Sequence, residues 1–197
     1  MEKVEELAEA LKAVEDELNL AKRVYLAFPF IFWSFAIPFM YLLELTLIKY
    51  AGLESDYVSV TISLLFVAWF LIENTRVFRK VEAIERVLGR RRERKLSYAV
   101  SQVLAWFVAF FIASYLYGTG GKGMLLFVGL ALLLMVAVDL SFHRRVQSEM
   151  VLAGFIILSS TYLADKLPVQ EMAFAIMVIS SAFSFAAFLH IRRAMRE

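Results

Sequence analysis

The 197-residue sequence contains no cysteine, three prolines, two asparagines and three glutamines. Without cysteine there is no disulfide, thiol catalysis, iron–sulfur cluster or cysteine-based metal site. The scarcity of amides beside abundant Glu, Lys and Arg is a bias typical of thermophilic proteins. The sequence also lacks a phosphate-binding loop, HExxH and Gly-x-Ser-x-Gly. We therefore expect a protein that is not an enzyme and that holds no cofactor or metal.

Apolar residues dominate what is present. They make up 61% of the chain and give a mean hydropathy of +0.69, more than one soluble core requires. A membrane-spanning helix takes about 20 mostly apolar residues. Six stretches meet or approach that length, and the prediction is an all-α polytopic membrane protein with six transmembrane helices in three hairpins. The stretches are Val24 to Ile48, Tyr57 to Ile72, Leu96 to Tyr117, Met124 to Leu140, Val151 to Ala164 and Val169 to His190.

The fifth stretch is the shortest and carries Ser159, Ser160 and Thr161. A tilted, broken or partly re-entrant helix is the alternative to a full span at this position.

Basic residues predict the topology, because they collect on the cytoplasmic side of a membrane. Eighteen of the 21 Lys and Arg residues lie near the two termini or follow the second and fourth stretches, whereas Lys49, Lys122 and Lys166 lie opposite. The acidic start lacks the basic region and cleavage site of a secretory signal. We expect a multi-pass protein of the cytoplasmic membrane, with both termini in the cytoplasm and only short external turns.

Two cytoplasmic segments carry apolar stripes. Residues 1–23 show the alternating spacing of three and four that is typical of a coiled coil, and residues 74–97 contain a basic amphipathic helix within the membrane domain, 24–197. Their net charges are opposite, −5 for residues 1–20 and +5 for residues 73–97. We therefore expect the two helices to pair as an antiparallel stalk about 30 Å long, within one chain or between protomers. The apolar stripes that would meet are Leu7, Leu11, Val14 and Leu18 on one helix and Val77, Val81, Ile84 and Leu88 on the other.

Two alternatives remain for the basic tract at 76–95. It would lie on anionic lipid as an interfacial helix, or form a solvated loop. Nucleic acid is not expected as a partner, because the tract has no interleaved aromatic residues or recognisable binding fold.

The first apolar stretch contains two prolines and a glutamate. Pro29 and Pro38 lack the amide hydrogen that a helix interior uses, so they predict a bent span. One helical face would carry polar groups that line a membrane path or substrate site, namely Ser34, Pro38 and Tyr41, with Glu44 at its edge. The alternative is a structural kink with an interfacial carboxylate near Lys49.

Four titratable residues end the second, fourth and sixth stretches at the inner boundary: Glu73, Asp139, His143 and His190. If these helices gather, the residues would form a proton-responsive or metal-binding cluster. The alternative is a set of ordinary interfacial ion pairs with the neighbouring arginines.

Two functions of different class follow. The first, favoured because six spans with almost no external domain leave function mainly to the bilayer, is a small transport or channel subunit working as a homo-oligomer or within a larger membrane complex. The second is a noncatalytic scaffold or regulatory subunit that binds a partner through its stalk. The layout of six spans, an N-terminal helix and a helical connection after span two also resembles permease subunits of export-type ABC transporters, which implies an exporter subunit as a further alternative.

Overall fold

The computed structural model describes residues 2–89, 96–118, 120–144, 146–164, 166 and 170–195. Over these ranges the chain forms helices and no strand, as predicted. The helices are α1 (Glu2–Leu26), α2 (Phe28–Ala51), α3 (Ser55–Val87), α4 (Leu96–Tyr117), α5 (Gly121–His143), α6 (Ser148–Leu163) and α7 (Glu171–Ala194).

Helices α2 to α7 correspond to the six predicted apolar stretches. Five segments of the described chain are long and apolar enough to cross a membrane. Helix α6 is the exception, because its 16 residues measure about 24 Å at 1.5 Å per residue, against about 30 Å for a hydrocarbon core. The fifth stretch, singled out as the shortest in the sequence, is thus also the shortest apolar helix in the fold.

The junction between α1 and α2 lies at Ala27, a fully buried residue between two nearly continuous helices. Pro29 falls in the first turn of α2, where a backbone N–H has no partner within the helix. It therefore marks the start of a new helix, instead of bending the interior of one as predicted. Pro38 does lie inside α2.

Helix α3 is the longest element, with 33 residues, or about 50 Å. The apolar second stretch ends at Ile72, and α3 continues without a break to Val87. The predicted basic helix is therefore a continuation of the apolar part of α3 as far as Val87, with Leu88 and Gly89 forming the cap. Residues 90–95 of the basic tract lie outside the described residues.

The helix contacts depart from chain order: α2 packs against α7, and α3 does not contact α4 among the described residues. Helix α2 contacts α3 on one side and α7 on the other, and α7 in turn contacts α5 and α6. Among the described residues, α4 packs only against α5, and α3 only against α1 and α2. Helices α3 and α4 are thus the two edges of the bundle, while its main core lies between α2, α5, α6 and α7 and contains the fully buried Leu125, Ile157 and Ile179.

Glycines allow the closest helix contacts. A Cβ atom on Gly129 of α5 would lie 2.7 Å from the Leu158 Cγ of α6, and one on Gly154 would lie 2.9 Å from the Leu133 Cδ2. Small residues let helix backbones approach closely, which favours association of apolar helices where the hydrophobic effect does not drive it. At one end of α5, a Cβ on Gly121 would lie 2.4 Å from the backbone oxygen of Glu171, so α5 and α7 also meet through a glycine.

The two ends of the bundle differ in composition. We call the end formed by Lys22, Arg23, Arg144, Arg192 and Arg193 the basic end. We call the other the tyrosine end, because six of the eight tyrosines lie there: Tyr41, Tyr50, Tyr57, Tyr115, Tyr117 and Tyr162.

Candidate functional site

A buried carboxylate organises the basic end between α4, α5 and the start of α6. The side chain of Asp139 accepts hydrogen bonds from Tyr98 Oη at 2.5 Å, Gln102 Nε2 at 3.2 Å and Gln147 Nε2 at 2.6 Å. Asp139 is only 4% exposed. Because hydrogen bonds in a low dielectric are strong, this network ties α4 to α5 and holds the turn that leads into α6.

A second network joins α6 to α7. Glu149, in the first turn of α6 and 6% exposed, accepts a hydrogen bond from Arg193 Nη1 at 3.1 Å. The same guanidinium donates to Ser148 Oγ at 3.3 Å. His190 lies close by, with Glu149, Arg23 and Arg193 as charged neighbours. An acidic side chain at a helix N-terminus is favourable, and the pair also ties α7 to α6 next to the base of α1.

The four residues predicted to form an inner cluster are distributed over separate contacts. Glu73 pairs with Arg76 of its own helix at 2.6 Å, and α3 contacts neither α5 nor α7 among the described residues. Asp139 and His190 belong to the two networks above, and the side chain of His143 lies outside the described part of the chain. The described residues also hold no group of three His, Asp or Glu side chains that could bind a metal ion.

The predicted polar face of α2 is divided between two neighbours. Ser34 is buried and donates to the Ile31 carbonyl of its own helix at 2.8 Å. Tyr41 donates to Gln170 Oε1, beside α7, at 3.3 Å, whereas Glu44 accepts a hydrogen bond from Ser59 of α3. Pro38 is half-buried. These polar groups therefore contribute to contacts on both flanks of α2 and are not gathered around one path.

The base of α1 packs against the extension of α3. Lys22 Nζ lies 2.6 Å from Glu85 Oε1, and Lys80 Nζ lies 5.4 Å from the ring centroid of Tyr25. Val81, between these contacts, is buried. The two contacts set an antiparallel register, in which the end of α3 at Val87 lies level with roughly residue 20 of α1, since both helices rise equally per residue.

Beyond the end of α3, the apolar stripe of α1 is uncovered. Leu7 and Leu11 are each 64% exposed and Val14 is 53% exposed, whereas Leu18 is half-buried. We call Leu7, Leu11 and Val14 the α1 seam. The α3 stripe is more covered, with Val81 buried and Val77, Ile84 and Leu88 half-buried. Within the described chain the stalk is thus shorter than predicted, and α1 extends about 25 Å past it, at 1.5 Å per residue.

No known protein family, curated protein or solved structure matches this chain. The class of protein is defined by the fold itself: an all-helical chain with several helices long and apolar enough to cross a membrane. Its functional assignment rests on the geometry described above.

Proposed function

We propose that this protein is a six-span membrane scaffold subunit that captures a protein partner through the cytoplasmic part of α1. Both termini lie in the cytoplasm, α2 to α7 are the six spans, and the basic end of the bundle faces inward. The protein acts by binding, with the membrane helices as its anchor and α1 as its contact surface.

The side chains at the tyrosine end support this orientation. Each of the three lysines at this end lies over a tyrosine ring: Lys49 over Tyr50, Lys122 over Tyr117 and Lys166 over Tyr162. The Nζ atoms are 5.5, 4.6 and 3.9 Å from the respective ring centroids. Tyrosines are enriched where a membrane meets water, and few basic residues occur on the outer side. A tyrosine belt with three lysines is what this rule predicts for an outer boundary.

The α1 seam is the observation that carries the proposed function. An isolated helix of this length is marginal in water, and exposed leucines on a cytoplasmic helix gain stability only when another surface covers them. In α2, by comparison, Tyr41 and Glu44 hydrogen-bond to neighbouring elements and Ser34 to its own helix. The seam is the exposed apolar surface on which the proposed function rests.

The test is the composition of the native complex. We expect the protein, extracted gently from its own membranes, to have a mass that includes a second protein in fixed stoichiometry. A Leu7→Ser, Leu11→Ser double variant should release that protein while its own fold and membrane insertion persist. A complex made of this chain alone, unchanged in the variant, would contradict the proposal.

A transport or channel subunit is the second candidate, favoured by one observation. Glu44 lies in the apolar helix α2 and is held by Ser59 of α3, and acidic residues inside spans often mark ion or substrate paths. In proteoliposomes, Glu44→Gln should then lower the flux of the transported solute. Glu54→Gln, an exposed carboxylate at the start of α3, is the matched control. Equal permeability of both variants and of empty vesicles would eliminate this candidate.

A further inference from the structure

We infer that the partner presents a basic amphipathic helix, which lies along the α1 seam in line with α3. This inference rests on the proposed function and specifies the chemistry of the partner. It is carried by the register of α1 and α3, by the exposed apolar seam and by the charge that borders it.

The register defines where the partner helix lies. Helix α3 covers α1 at the level of Lys22 to Tyr25 and ends about one turn further along. The seam continues the same spacing of three and four away from the membrane, through Val14 to Leu7. A helix that buries the seam therefore extends the line of α3, and the uncovered length of about 25 Å accommodates about 16 residues of partner helix at 1.5 Å each.

The charge around the seam selects a basic partner. Residues 2–17 carry seven acids and only Lys3 and Lys12 as bases, and two of the acids border the stripe; the residues that flank Leu7 are the uncharged Ala8 and Ala10. With Leu11 and Val14 at the a and d positions of a heptad, Glu15 and Glu17 occupy the flanking e and g positions. In paired helices these flanks face the partner's flanks and determine its identity. Lysine or arginine beside an apolar stripe is the complementary pattern.

The same charge argues against two other surfaces that would cover the seam. A second α1 would bring another net charge of −5 against the first. Anionic lipid would repel the acidic helix, since membrane-surface helices attach through Lys and Arg. A separate basic helix has neither obstacle.

The test measures peptide binding to the whole protein in nanodiscs of neutral lipid. The probe is a synthetic 20-residue helix with leucine at a and d and lysine at e and g. The comparison peptide keeps the leucines and replaces each lysine with glutamate. We expect the basic peptide to bind at least about tenfold tighter, with an affinity that falls as salt is raised.

Variants locate the binding site. Leu11→Ser should weaken binding of the basic peptide at least about tenfold, because a central apolar anchor is lost. Glu17→Lys, on the flank of the seam, should weaken it by about fivefold or more, whereas Asp16→Lys, with the same change of charge at the opposite f position, should change it less than about twofold. Both acids are exposed, so neither variant disturbs a buried contact.

The outcomes separate this inference from the proposed function. A native companion protein together with equal binding of both peptides, or with equal losses for Glu17→Lys and Asp16→Lys, would overturn the basic-helix inference and leave the scaffold function in place. Dimerisation through α1 that Leu11→Ser abolishes would overturn the inference in favour of a second copy. Selective binding that follows the expected order of variants would support it.

Discussion

Removal of the Asp139 carboxylate should destabilise the basic end more than any other single side-chain truncation near it. In Asp139→Ala, the short hydrogen bonds from Tyr98 at 2.5 Å and Gln147 at 2.6 Å lose their acceptor in a site that is only 4% exposed. Each buried donor left unpaired costs about 1–3 kcal/mol. The expected loss is about 4 kcal/mol, which for a protein of this size lowers Tm by about 8–16 °C.

Thermal unfolding of the purified protein in one detergent, followed by intrinsic fluorescence, measures this loss. Asp139→Asn should lose less, because one oxygen remains and the amide of Gln147 can turn to accept from the new NH2 group. Ser141→Ala is the control, since Ser141 is exposed and its hydroxyl bonds to the Ala137 carbonyl of its own helix. A loss below about 1 kcal/mol for Asp139→Ala, or equal to that of Ser141→Ala, would refute the reasoning.

Two further predictions concern contacts with α7. Gly121→Ala would place a Cβ 2.4 Å from the backbone oxygen of Glu171, so it should lower the free energy of unfolding by about 1–3 kcal/mol. In Gly120→Ala the nearest neighbour of the new Cβ is Glu171 Oε1 at 3.6 Å, so the loss should be less than about 1 kcal/mol. A larger loss for Gly120→Ala than for Gly121→Ala would contradict this packing. Glu149→Gln keeps the shape of a buried side chain but removes the negative charge that pairs with Arg193. Thermal unfolding should therefore show a loss of stability of about 1–2 kcal/mol, and 0.5 M salt should reduce this loss only in part. An unchanged Tm in Glu149→Gln would show that this pair is dispensable.

The helices and the basic end of the bundle could be predicted from composition, because apolar runs and clusters of basic residues are local features of the chain.

 The all-helical class and the approximate positions of α2 to α7 were predicted from apolar stretches of about the length of a membrane-spanning helix. The fifth stretch, the shortest, corresponds to the short helix α6. The start of α2 was harder to place, since Pro29 is compatible with both a kinked interior and a first turn. Only the packing around the buried Ala27 distinguishes the two.

The contacts at the basic end could not be predicted in the same way, because they depend on which helices are neighbours. Glu73, Asp139 and His190 end alternate apolar stretches, yet α3 lies at an edge of the bundle and contacts neither α5 nor α7 among the described residues. One signal in the sequence was available. Glutamine is rare in this chain, and all three glutamines are used in hydrogen bonds between elements: Gln102 and Gln147 with Asp139, and Gln170 with Tyr41.

The length over which α1 and α3 pair depends on the register between the two helices, and the spacing of their apolar residues does not determine that register. Both stripes repeat every three or four residues, so several alignments of α1 against α3 bury equally apolar surfaces. The ion pair of Lys22 with Glu85 selects one of them. That alignment leaves Leu7, Leu11 and Val14 uncovered, and the partner surface that we propose is a consequence of this offset.

Site-specific photo-cross-linking in native membranes tests the central claim most directly. A photoreactive amino acid replaces Leu11, on the seam, or Asp16, on the opposite face, and the adducts are identified by mass spectrometry. Our account predicts one protein adduct from position 11, attached to a segment rich in lysine and arginine, and none from position 16. Adducts with lipid or with a second copy of this chain at position 11, or equal adducts at both positions, would contradict it.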